Sequence, residues 1–70
     1  MNYKTGGLYR VVSPNRKIFA FHDKLIGGFL LKHDDIVVVL NEMKWLNLPF
    51  VLVLFEDSIV RIEGGFLEEV

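Results

Sequence analysis

The sequence predicts an all-β protein of about five antiparallel strands. Three observations carry that expectation. Short runs of β-branched and aromatic residues recur along the chain. Turn residues interrupt them about every 8–12 residues, the spacing of small sandwiches and barrels. No segment holds an apolar helical repeat long enough to form a helix on its own.

Each element follows from its residues. The opening MNYKTGG is polar and is expected to be a flexible segment over residues 1–7. LYRVVS (Leu8–Ser13) reads as a first strand, stopped by Pro14-Asn15. KIFAF (Lys17–Phe21) follows, ended by the polar break His22-Asp23-Lys24. Phe29–Leu31 enters a turn at Lys32-His33-Asp34-Asp35, and Ile36–Leu40 leaves it as IVVVL. Asn41–Asn47 (NEMKWLN) allows at most one short helical turn, which Pro49 ends. Phe50–Phe55 (FVLVLF) and Ile59–Ile62 form a hairpin about the tight turn Glu56-Asp57-Ser58.

GGFL occurs at Gly27–Leu30 and Gly64–Leu67, and GGLY at Gly6–Tyr9. These lack the spacing of a phosphate-binding glycine loop, and their flanks differ too much for an internal repeat. They read as turn chemistry, because glycine reaches positive φ without steric cost.

Seventy residues make a single domain, 1–70. A chain this short buries only about 60% of its unfolded surface, so many such domains need a staple or a partner. The absence of cysteine excludes disulfides and thiolate zinc sites and suits a reducing compartment. Hydrophobic residues make up 51% of the chain, high for so little interior. No apolar stretch approaches the roughly 20 residues of a spanning helix. A cytoplasmic location, or one within an intracellularly assembled particle, is expected, with no membrane partner.

The net charge of −1 gives no overall pull toward nucleic acid. The distribution is lopsided, with six of the eight basic residues before position 34 and eight of the nine acids from Asp34 onward. These halves could attract each other within one fold or order copies head to tail.

Two strands are apolar on both faces. Val37 and Val39 oppose Ile36, Val38 and Leu40; Val51, Val53 and Phe55 oppose Phe50, Leu52 and Leu54. A small barrel has one interior, so one set lies outside. Each such side chain is worth about 1.5–3 kcal/mol when buried. Either a loop (Asn41–Leu48 or Pro14–Gly28) folds over the outer set, or another protein surface covers it.

Candidate chemistry is sparse. His22-Asp23 and His33-Asp34-Asp35 fall at turns, where neighbouring side chains point apart and read as caps and solvated groups. Thr5, Ser13 and Ser58 have no evident base. No catalytic residue, metal, cofactor or small-molecule substrate is expected, and the chain does not read as an enzyme.

From Leu30 to Val70 the order of features resembles the Src-homology-3-like small β-barrels. LLKHDDIVVVLNEM is similar to that family's diverging turn, FVLVLFEDSIVRI to its distal hairpin, and GGFLEEV to its final single-turn helix and closing strand. LYRVV sits where the first strand falls, and PNRKIFAFHDKLIGG where a long loop precedes the diverging turn. The resemblance implies a five-stranded antiparallel barrel. It extends to very small bacteriophage-encoded proteins through the closing stretch VLFEDSIVRIEGGFLEEV. Polyproline binding is not implied, because Arg10 follows Tyr9, Trp45 lies ahead of its strand, and Glu63 and Phe66 replace the family's proline and tyrosine.

The expected role is therefore protein–protein contact, as an oligomer of this chain, an accessory or structural component of a larger, viral assembly, or a small regulator docking on a host protein. The expected contact residues are Tyr9, Ile36, Val38, Trp45, Leu52 and Leu54. The alternative is a nucleic-acid-binding barrel using Arg10, Arg16, Lys17, Lys24 and Lys32, interleaved with Tyr9, Phe19 and Phe21 on which bases would stack; the acidic second half and a pI near 6.0 disfavour it.

Overall fold

Runs of Val, Ile, Leu and Phe with period-two alternation favour extended backbone. The computed structural model describes residues 3–45 and 47–70, with the Trp45 side chain outside that description. Seven strands form: β1 (Leu8–Val11), β2 (Ile18–His22), β3 (Gly28–Leu31), β4 (Ile36–Trp45), β5 (Leu48–Phe55), β6 (Ser58–Glu63) and β7 (Leu67–Glu69). They make one antiparallel sheet in the order β3-β2-β6-β5-β4-β1-β7, curled into a half-barrel. No helix occurs among the described residues.

The all-β expectation holds, and the count of five does not. The stretch expected as a long loop contains β2 and enters β3, a hairpin that joins the sheet through Phe21↔Arg61 and His22↔Val60. GGFLEEV gives a turn and the three-residue β7, with no helical turn.

The second correction lies at Asn41–Trp45, which continues β4 as strand. A register shift between Val39 and Asn41 makes Leu40 the extra residue of a bulge, and pairing then runs from Asn41↔Leu52 to Trp45↔Leu48. A lone helical turn pays nucleation for few bonds, whereas the ladder adds bonds against an existing partner. Pro49 is tolerated because its carbonyl, and hence its missing N–H, points toward β6, which has ended; Gly64 N–H donates to that carbonyl at 2.9 Å.

Val11, Ala20, Leu31, Val37, Val39, Val51, Val53, Val60 and Ile62 fill the concave side. Residues 3–7, expected to be free, are docked on it. Gly6 N–H donates to the Val39 carbonyl at 2.7 Å, Val39 N–H donates to Gly7 at 3.0 Å, and Tyr3 packs edge-on against Tyr9.

One glycine of each pair takes positive φ: Gly6, Gly27 and Gly65. Gly28 serves a different need, since a Cβ there would lie against the backbone carbonyl of Ala20.

Candidate interaction surfaces

The register fixes which side chains face outward. Because Val37, Val39, Val51 and Val53 are buried, Ile36, Val38, Leu52 and Leu54 lie on the convex face. Four outward apolar residues stand in one register row across four adjacent strands: Leu8↔Val38, Val38↔Leu54 and Leu54↔Ile59. Leu8 is 52% exposed and Ile59 46%, with Val38 and Leu54 half-buried between them. Ile36, at the next outward position of β4, is 44% exposed. Neither Pro14–Gly28 nor the described part of Asn41–Leu48 folds over this row; both are taken up in hairpins of the sheet.

The row continues at its β6 end. Ile59 shares a depression of about 300 Å³ with Leu25, rimmed by Asp23, Lys24, Asp57 and Ser58. Leu25 and the fully exposed Ile26 form the tip of the β2–β3 hairpin. An apolar centre with a polar rim is the composition of a protein contact surface.

Two of the expected contact residues stand elsewhere. Tyr9 is only 5% exposed, because odd positions of β1 face the core, and its hydroxyl accepts the Lys4 N–H at 2.8 Å. It belongs to the core rather than to a surface. Trp45 pairs through its backbone with Leu48 at the end of β4; its side chain lies outside the described residues.

The five basic candidates divide. Arg10 bridges Asp34 Oδ1 at 3.2 Å and Glu68 Oε1 at 3.0 Å. Lys32 Nζ lies 3.6 Å from Asp35. Lys24 lies at the hairpin tip, beside Asp23 in the Leu25–Ile59 depression. Arg16 and Lys17 form no ion pair among the described residues. Ser13 sets their position: its hydroxyl donates to the Arg16 carbonyl at 2.7 Å, closing the Pro14-Asn15 turn just before β2. The Arg16 guanidinium then lies 5.1 Å from the Phe66 ring centroid.

A second exposed group is the aromatic pair that the sequence interleaves with its basic residues. Phe19 and Phe21 sit on the convex side of β2 at 42% and 40% exposure, their rings edge-on with centroids 4.6 Å apart. Period-two alternation against buried Ile18 and Ala20 was the available signal.

The polar groups expected at turns are engaged locally. His33 Nδ1 accepts the Ser13 N–H at 3.0 Å, and His22 packs edge-on to Phe29. Among the described residues no three His, Cys, Asp or Glu side chains are grouped to hold a metal. A cavity of about 590 Å³ opens where the β4–β5 hairpin runs past the core, between Tyr3, Pro49, Phe50 and Val51. Its acid, Glu42, accepts the Tyr3 N–H. No helix of the described residues is long and apolar enough to cross a membrane.

Comparison with protein-family models, curated proteins and solved structures gave no match for this chain.

Proposed function

We propose that this chain is a non-enzymatic small β-barrel that acts through protein–protein contact, as a component of a larger assembly or a regulator docking on another protein. The observation that carries this reading is the outward row Leu8–Val38–Leu54–Ile59. Four aliphatic side chains in register across four strands forgo several kcal/mol while wet, at about 25 cal/mol per Å² of apolar surface. That is comparable with the net stability of a small domain. Covering the row with a partner recovers part of it, and the exposed Leu25-Ile26 tip adds two anchors beside Ile59.

The Src-homology-3-like likeness is the finer part of the proposal. It is supported by the β4-β5-β6 meander, by β1 beside β4 with β7 beyond it, and by the β2–β3 hairpin standing where the long loop was expected. A setting in a bacteriophage-encoded assembly rests on the closing stretch of the sequence. The test is the native mass of the chain, alone and in complex. Self-association or a stable complex that Leu54→Gln with Ile59→Gln abolishes supports the reading. A monomer at micromolar concentration that forms no complex and binds no apolar dye removes it.

A further inference from the structure

The convex face is chemically divided. The row from Leu8 to Ile59 is aliphatic and has no cation in register with it, whereas β2 presents Phe19 and Phe21 at alternate positions, with Lys17 immediately ahead of its first residue. The two rings meet edge-on, and Lys17 precedes them in the chain by two and four residues. Beyond Phe21↔Arg61 the ladder between β2 and β6 stops, and the strands separate. The cleft so formed, about 310 Å³, is lined by Phe19, Phe21, Leu30, Phe50 and Phe66, with Glu63 at its side. A second depression of about 310 Å³ adjoins it, lined by Asn15, Lys32 and His33, and Arg16 and Lys17 border both.

We propose that this aromatic cleft and its basic neighbour are a binding site for single-stranded nucleic acid. The chemistry favours that occupant over a purely apolar one on charge complementarity. Arg16 and Lys17 stand between the two depressions without an acidic partner among the described residues, placed to neutralise phosphate. The exposed Phe19 and Phe21 offer π-faces on which bases stack whatever their identity. A duplex keeps its bases stacked inside and cannot use those rings. Of the acids of the second half, Asp34, Asp35 and Glu68 are tied to Arg10 and Lys32. Glu63 is the adverse group: it places a carboxylate beside the track.

The site is separate from the aliphatic row, so the two readings fail independently. The test is fluorescence anisotropy of the full chain with a labelled oligothymidylate of about 12 nucleotides, within the site sizes of small barrels. Saturable binding that weakens with salt is expected, with a much weaker response to duplex. Phe19→Ala and Phe21→Ala each lower affinity by about fivefold to a hundredfold, the range measured for base–aromatic stacking. Phe19→Trp retains it, Lys17→Glu lowers it, and Glu63→Gln raises it. Circular dichroism checks that each variant is folded, and Leu54→Gln, on the aliphatic row, leaves affinity unchanged. Absence of binding at low salt overturns the proposal. So does full affinity in the folded double variant Phe19→Ala, Phe21→Ala, or competition by polyglutamate as effective as by unlabelled oligonucleotide, which marks a site for acidic peptides.

Discussion

The imidazole of His33 accepts, through Nδ1, the backbone N–H of Ser13 at 3.0 Å. One bond thereby joins the end of the first strand to the β3–β4 turn. Ser13 is buried, so its N–H has little access to water. Replacing His33 by Leu leaves that donor without its acceptor, a loss of about 1–3 kcal/mol. The expected outcome is a lower urea midpoint at unchanged slope; equal midpoints would show that water takes over the bond.

Ile59 and Ile62 lie three residues apart on β6 and face opposite ways, 46% and 0% exposed. Ile62→Ala opens a core cavity and is expected to cost about 2–5 kcal/mol. Ile59→Ser costs less than about 1 kcal/mol, the range of surface substitutions. Only the Ile59 variant changes self-association or partner binding while staying folded. Parallel denaturation and native mass measurements separate the two effects.

Gly27 and Gly28 make contrasting demands. Gly27 has φ +90° with open space around it, whereas a Cβ at Gly28 would meet the Ala20 carbonyl oxygen at 1.9 Å. Gly27→Ala is expected to cost about 1–2 kcal/mol from backbone conformation alone. Gly28→Ala forces β2 and β3 apart and costs more, in the range of roughly 2–4 kcal/mol that marks steric disruption. A smaller loss at Gly28 than at Gly27 in thermal denaturation would contradict this ordering.

Glu56 holds φ +54° in the two-residue turn between β5 and β6, where glycine is the ordinary solution. Glu56→Gly is expected to raise stability by up to about 1 kcal/mol, the relief of left-handed strain offset by greater freedom of the unfolded chain. Glu56→Val is expected to lower it, because a β-branched side chain fits that backbone worse. Chemical denaturation of the pair gives the sign directly.

Arg10 ties β1 to the β3–β4 turn and to β7 through two partly exposed carboxylates. Exposed pairs contribute little, so Arg10→Met is expected to cost about 1 kcal/mol or less, and less still at high salt. Oligonucleotide affinity should change far less in Arg10→Met than in Lys17→Glu, because the Arg10 charge is already committed. Titration of the two variants side by side checks both points.

The strand positions were legible because they depend on local pattern. Ile36–Leu40, Phe50–Phe55 and Ile59–Ile62 each lie inside an observed strand, and the Glu56-Asp57 turn falls where its residues put it. Asn41–Trp45 was misread because its extension depends on a partner: β5 supplies the ladder, and a bulge at Leu40 resets the register. Tyr9 reads as an exposed aromatic beside a cation until its alternation on β1 is tied to that of Val37 opposite.

What the sequence by itself determined is an all-β chain with its turns placed and with more apolar surface than one interior takes. Short-range backbone preference and the period of two are enough for that. Only the tertiary structure decided which faces turn outward and which distant residues meet. The aliphatic row depends on the register of four strands, and the aromatic cleft brings Arg16 beside Phe66 from opposite ends of the chain. A side chain's face inverts with each one-residue slip in pairing, and pairing between strands far apart in sequence is set by packing of the whole sheet rather than by any local run of residues.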